Sequence, residues 1–162
     1  MGNTQYDPVS KLIYSLSGAD NKLIEIDPVT DKVINKYPVI GGSFPHGLYI
    51  DESTHYALIT CQGDNKLLVF DLGSKKVIAS DTVGANPDVL AFDPGLRRLY
   101  VAAENGPLTM FDVQKNKVSK IGEVFVADKA HTVSVDKNTH RLYFPLENVN
   151  GKPVLRIMEP IQ

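Results

Sequence analysis

Asp93-Pro94-Gly95-Leu96-Arg97-Arg98-Leu99-Tyr100-Val101-Ala102 joins an acidic turn to a run of apolar and aromatic residues, and the fold is decided on this stretch. The same order of residue types stands at Asp7-Pro8-Val9-Ser10-Lys11-Leu12-Ile13-Tyr14 and at Asp51-Glu52-Ser53-Thr54-His55-Tyr56-Ala57-Leu58. It returns at Asp136-Lys137-Asn138-Thr139-His140-Arg141-Leu142-Tyr143. The leading aspartates Asp7, Asp51, Asp93 and Asp136 are 44, 42 and 43 residues apart. Self-similarity at such a period marks a chain built of stacked units, each too small to bury its own apolar faces.

Working outward from the acidic turn, each unit reads as a series of short strands. An inner run precedes the aspartate: Phe44 to Ile50, Asn86 to Phe92 and Ala130 to Val135, with Gly2 to Tyr6 in the first unit. The strand after the turn carries Leu12-Ile13-Tyr14, Tyr56 to Thr60, Arg98 to Ala102 and Arg141 to Phe144, rich in the residue types that suit a pleated sheet. A polar loop follows, as in Gly18-Ala19-Asp20-Asn21, Gly63-Asp64-Asn65, Asn105-Gly106 and Asn148 to Gly151. Asn and Gly tolerate positive φ, so these loops are hairpin turns. A third strand and, in three units, a fourth complete the pattern. The last unit runs out after Met158, and its Pro160 has no N–H for a ladder.

The expected fold is therefore all-β: a β-propeller of four-stranded antiparallel blades, about four per chain, the last lacking its outer strand. The blades fall near residues 2–40, 44–83, 86–126 and 130–159 in a single partial-propeller domain. An open stack of blades leaves two uncovered apolar faces and unpaired strand edges. A second chain is expected to complete it, most economically as a homo-oligomer in which two copies close one ring.

The 162 residues carry a net charge of −2, with 17 basic against 19 acidic side chains, which gives no electrostatic case for nucleic acid or an anionic membrane. Apolar runs such as Leu67-Leu68-Val69-Phe70 are too short to span a bilayer, so no transmembrane helix is expected. Met1 to Gln5 leads straight into the first repeat, which reads as no signal peptide. The one cysteine, Cys61, lies in a predicted strand as a small buried residue and leaves the compartment undecided.

On Leu99-Tyr100-Val101-Ala102, the turn Ile26-Asp27-Pro28-Val29-Thr30-Asp31-Lys32-Val33 and the approach Gly84-Ala85-Asn86-Pro87, the chain resembles the YVTN-type, YncE-like β-propellers. The run from His140 to Pro160 resembles the natural end of such proteins. Members of that family have seven blades on one chain and are often exported. The resemblance thus implies the C-terminal half of a propeller and a periplasmic or extracellular setting for the whole, with a binding role more than any named reaction.

Candidate functional residues follow from the repeat alignment. His46, Asp88 and His131 share one position, five residues before the marker aspartate, where the first unit has Gly2. Gln62, Glu104 and Glu147 share another at the end of the second strand, where the first unit has Gly18. Together they are placed around the mouth of a central channel. Three readings stay open for them: polar caps on the loops entering the inner strands, a seat for a small polar ligand or peptide, or a divalent metal site. The marker aspartates, with Asp27, Asp71 and Asp112, recur at every tight turn and read as structural. Tyr14, Tyr100 and Tyr143 read as packing between blades. His55 and His140 fall in turns away from the mouth and are expected to be exposed. Gly41-Gly42 reads as a flexible turn.

No Gly-x-Ser-x-Gly elbow or phosphate-binding glycine loop is present in the sequence. The favoured function is a non-enzymatic binding or interaction scaffold that engages its ligand or partner at the channel mouth, with no cofactor expected. The alternative is a propeller hydrolase of the lactonase kind with a metal or acid-base site there. Single-stranded nucleic-acid binding is a further alternative that the charge balance disfavours.

Overall fold

The structure is a computed structural model, and it describes residues 2–160. Among the described residues fifteen strands form four antiparallel sheets. Blade 1 holds β1 (Thr4–Asp7), β2 (Leu12–Ser17), β3 (Lys22–Asp27) and β4 (Lys32–Pro38). Blade 2 holds β5 (Pro45–Asp51), β6 (Tyr56–Cys61), β7 (Lys66–Asp71) and β8 (Lys76–Thr82). Blade 3 holds β9 (Pro87–Asp93), β10 (Arg98–Ala103), β11 (Pro107–Gln114) and β12 (Lys117–Phe125). Blade 4 has three strands among the described residues, β13 (Ser134–Val135), β14 (Leu142–Val149) and β15 (Lys152–Met158). Every sheet runs in chain order, as hairpin succession dictates. No helix among the described residues is long and apolar enough to cross a membrane.

The turns explain the repeat. Asp7 accepts the N–H groups of Val9 and Ser10 and the Ser10 hydroxyl, and Asp51, Asp93 and Asp136 bind the same turn positions of their own blades. Asp27 and Asp71 repeat the arrangement in the third hairpin of their blades. Each of these turns then exits through a residue in the left-handed region. Lys11, His55, Arg97 and His140 hold that place in the first hairpin, with φ between 56° and 62°. In the second hairpin Asn21, Asn65, Gly106 and Asn150 do so, as the Asn and Gly content predicts. Gly41 also has positive φ, at 94°. Its neighbour Gly42 packs so tightly that a Cβ there would stand 2.5 Å from the Cys61 sulfur, which is a packing constraint and not flexibility.

Contacts divide the chain into two compact units, residues 2–82 and 83–160. In the first, the Tyr14 face of blade 1 packs on blade 2 through Leu16, Leu23, Ile50, Ala57, Leu68 and Phe70. A polar group is sealed into that interface. The Tyr14 hydroxyl donates to Glu25 at 2.6 Å, Lys75 of the blade 2 outer turn reaches Glu25 at 2.5 Å, and Asn35 and Tyr37 bind its second oxygen. Burial alone would raise the Glu25 carboxyl, but bonds from Lys75, Tyr14, Asn35 and Tyr37 outweigh it and hold the pKa at about 2. Cys61, fully buried on the same side, has its thiol pushed up to about 12 by burial and then by Asp64.

In the second unit the Tyr100 face of blade 3 packs on Leu142, Phe144, Leu146 and Met158 of blade 4. Where Glu25 faces Tyr14, Met110 faces Tyr100. The Tyr100 hydroxyl is consequently buried with no hydrogen-bond partner. Burial raises its pKa, and the approach of the Arg98 guanidinium offsets part of that.

Candidate functional site

Three of the aligned polar residues converge in the second unit. Asp88 is the second residue of β9, Glu104 follows the last residue of β10, and His131 lies on the approach to β13. The Glu104 N–H donates to the Asn86 carbonyl at 3.0 Å, so the end of β10 is tied to the start of β9. Asn86 itself adopts φ 53° and turns the chain sharply into the strand. His131 is held by its neighbour Ala130, 2% exposed, whose N–H binds the Ala127 carbonyl.

These constraints place the His131 Nδ1 2.9 Å from an Asp88 oxygen and 3.6 Å from a Glu104 oxygen. One donor atom from each of the three side chains lies within 4.8 Å of the other two. Their side chains are 33%, 23% and 44% exposed for His131, Asp88 and Glu104, so water and small solutes reach the cluster. Two carboxylates thus face one imidazole across the junction of two blades.

The corresponding place in the first unit is built from Gly2 and Gly18 of blade 1 with His46 and Gln62 of blade 2, around a cavity of about 160 Å³. The histidine is kept while both carboxylates are replaced by glycines. The Phe44 ring fills the room, lying 3.2 Å from where a Gly18 Cβ would be. Glu147 is exposed at the end of blade 4 and borders a separate cavity with Asp128, Lys129 and Asn148. Of the six aligned residues, the structure therefore brings together Asp88, Glu104 and His131, sets His46 and Gln62 side by side, and leaves Glu147 apart.

His55 and His140 depart from the sequence expectation. Each is only about a third exposed, at 29% and 35%, because its ring bonds a fully buried marker aspartate of the preceding blade. His55 reaches Asp7 at 2.9 Å and His140 reaches Asp93 at 2.7 Å. Burial would raise the Asp7 carboxyl, yet bonds from Ser10, His55 and the turn N–H groups bring it below its ordinary value. The signal was present in the sequence, since the left-handed turn position carries a basic residue in all four units: Lys11, His55, Arg97 and His140.

No protein-family model matches the chain, and no curated protein matches it in sequence. Solved structures do. Hydrazine synthase of Kuenenia stuttgartiensis superposes with a TM-score of 0.80 at 16% identity, covering 96% of this chain and 48% of that one. A Bacteroides uniformis protein proposed to be a 6-phosphogluconolactonase gives 0.83 at 14% identity, covering 98% and 50%. The dihydro-heme d1 dehydrogenase NirN gives 0.70 at 20% identity, covering 96% and 36%. At these identities the likeness establishes the fold, a β-propeller. The chain spans half or less of the length of each of these structures.

Proposed function

We propose that this partial propeller is an interaction module, a binding scaffold completed by a second copy of the same chain, and that its work is binding and not covalent chemistry. The observation that carries this is the contrast among three equivalent tyrosines. Tyr14 and Tyr100 are 0% exposed because the next blade covers them. Tyr143 holds the same place in blade 4 but is only half-buried, and its sheet face is open: Leu155 is 60% and Ile157 53% exposed beside it.

Blade 1 offers what that face lacks. Its own open face carries Tyr6, Ile13, Ile26 and Val33 in one cross-strand row, with Tyr6 at 54% and Val33 at 51% exposure. The equivalent row of blade 2, Ile50, Ala57, Phe70 and Val77, is the one that packs against the Tyr14 face. Blade 1 of a second copy therefore suits the Tyr143 face of the first, and the pairing is reciprocal. Such head-to-tail contacts close when the rotation permits and otherwise propagate. The doubled length of two of the solved propellers supports closure at two copies.

Light scattering tests the proposal, with a mass of twice 17.8 kDa expected for the unsubstituted 162-residue chain. A Leu155→Lys/Ile157→Lys variant should fall to the monomer mass while keeping its far-ultraviolet spectrum. A monomer of the unsubstituted chain, or an open series of larger species, overturns it.

A lactonase-like hydrolase is the second reading. It is favoured by the likeness to the Bacteroides uniformis protein and by an imidazole set between two carboxylates, an arrangement suited to acid-base work. Hydrolysis of a phosphosugar lactone, abolished in His131→Ala, would establish it, and no turnover above background would remove it.

A further inference from the structure

We propose that Asp88, Glu104 and His131 form a binding site for a single divalent first-row transition-metal cation. The argument begins with spacing. Metal bonds of about 2.1 Å to oxygen and nitrogen place neighbouring ligand atoms about 3.0 Å apart in an octahedron and about 3.4 Å apart in a tetrahedron. The observed separations from the His131 Nδ1, 2.9 Å to Asp88 and 3.6 Å to Glu104, bracket those values. The third pair, Asp88 and Glu104, lies within 4.8 Å, so the two carboxylates close on a cation shared with His131.

Charge points the same way. Two carboxylates against one imidazole leave the cluster negative even with His131 protonated, and a divalent cation balances both carboxylates while the imidazole stays neutral. One imidazole nitrogen with two carboxylate oxygens suits zinc, manganese or iron, and the nitrogen weighs against magnesium and calcium. Partial exposure leaves an entry path and positions open for water or a bound solute.

A structural role alone does not account for the carboxylates. The turn aspartates recur in every blade, as structural groups in a repeat do. The equivalent junction in the first unit forms with Gly2 and Gly18 in place of Asp88 and Glu104 while keeping His46. Blade packing therefore does not require the acid pair, and the pair occurs where a histidine is placed to share a ligand with it.

The three residues belong to one chain, so the site is independent of the dimer and its test does not depend on it. Titration calorimetry of the full chain at pH 7.5, with Zn²⁺ or Mn²⁺ alone as the probe, should give one equivalent bound in the micromolar range. Mg²⁺ should bind at least tenfold more weakly. Glu104→Gln should weaken Zn²⁺ binding at least tenfold, His131→Ala should abolish it, and His46→Ala should leave it unchanged. Absence of saturable binding at pH 7.5 overturns the proposal. Binding that survives both Glu104→Gln and His131→Ala, each checked for an unchanged melting temperature, also overturns it.

Discussion

At the scale of single residues, two tyrosines in the same place of the repeat have opposite energetics. Tyr14 donates to Glu25 inside a satisfied network, whereas Tyr100 buries a hydroxyl that bonds nothing. Removing a bonded group leaves its partner short, while removing an orphan relieves a desolvation penalty. Tyr14→Phe should therefore cost about 1 to 2 kcal/mol, and Tyr100→Phe should be neutral or stabilising by up to about 1 kcal/mol. Denaturant melts of the two variants check this directly. Glu25 adds a pH dependence. Its pKa is held at about 2 in the fold against an ordinary 4.5, so its contribution is complete above pH 4.5 and is lost as the pH falls toward 2. The contribution is on the order of 3 kcal/mol. Glu25→Gln should flatten the acid limb of the stability curve over that window, and an unchanged limb would show that other carboxylates carry it. None of this group was legible in the sequence as a site. Glu25 reads there as an ordinary polar residue in an alternating strand, and its partners come from 10 to 50 residues away.

At the scale of elements, the hairpin turn explains both what the sequence disclosed and what it withheld. The aspartate that opens each turn was legible because its bonds are local, two and three residues along the chain. The basic residue that closes the turn was misread as exposed because its partner belongs to the preceding blade, 47 or 48 residues earlier. His140→Asn isolates that contact, since Asn tolerates the left-handed backbone but is too short to reach Asp93. It takes the imidazole away from a fully buried carboxylate that keeps the N–H bonds of Gly95 and Leu96. A loss of about 1 to 2 kcal/mol in stability is expected, read by thermal or urea melting, and an unaltered midpoint would mean that the clasp contributes nothing. The candidate site shows the same division. The repeat alignment placed Asp88, Glu104 and His131 in equivalent positions, but which of the six aligned residues would meet depends on cross-blade approach that no spacing within a blade encodes.

At the scale of the whole molecule, the repeat count was the most legible property, and the all-β propeller fold follows from it together with the solved structures. Less legible was which blade faces would stay open. Apolar residues at Tyr6, Val33, Leu155 and Ile157 look no different in sequence from their buried equivalents, because composition does not say whether a neighbour is present. Their exposure makes the partner the central claim. Light scattering of the unsubstituted chain near physiological salt tests it most directly. The account predicts a single species of twice 17.8 kDa, and a stable, well-folded monomer would contradict it.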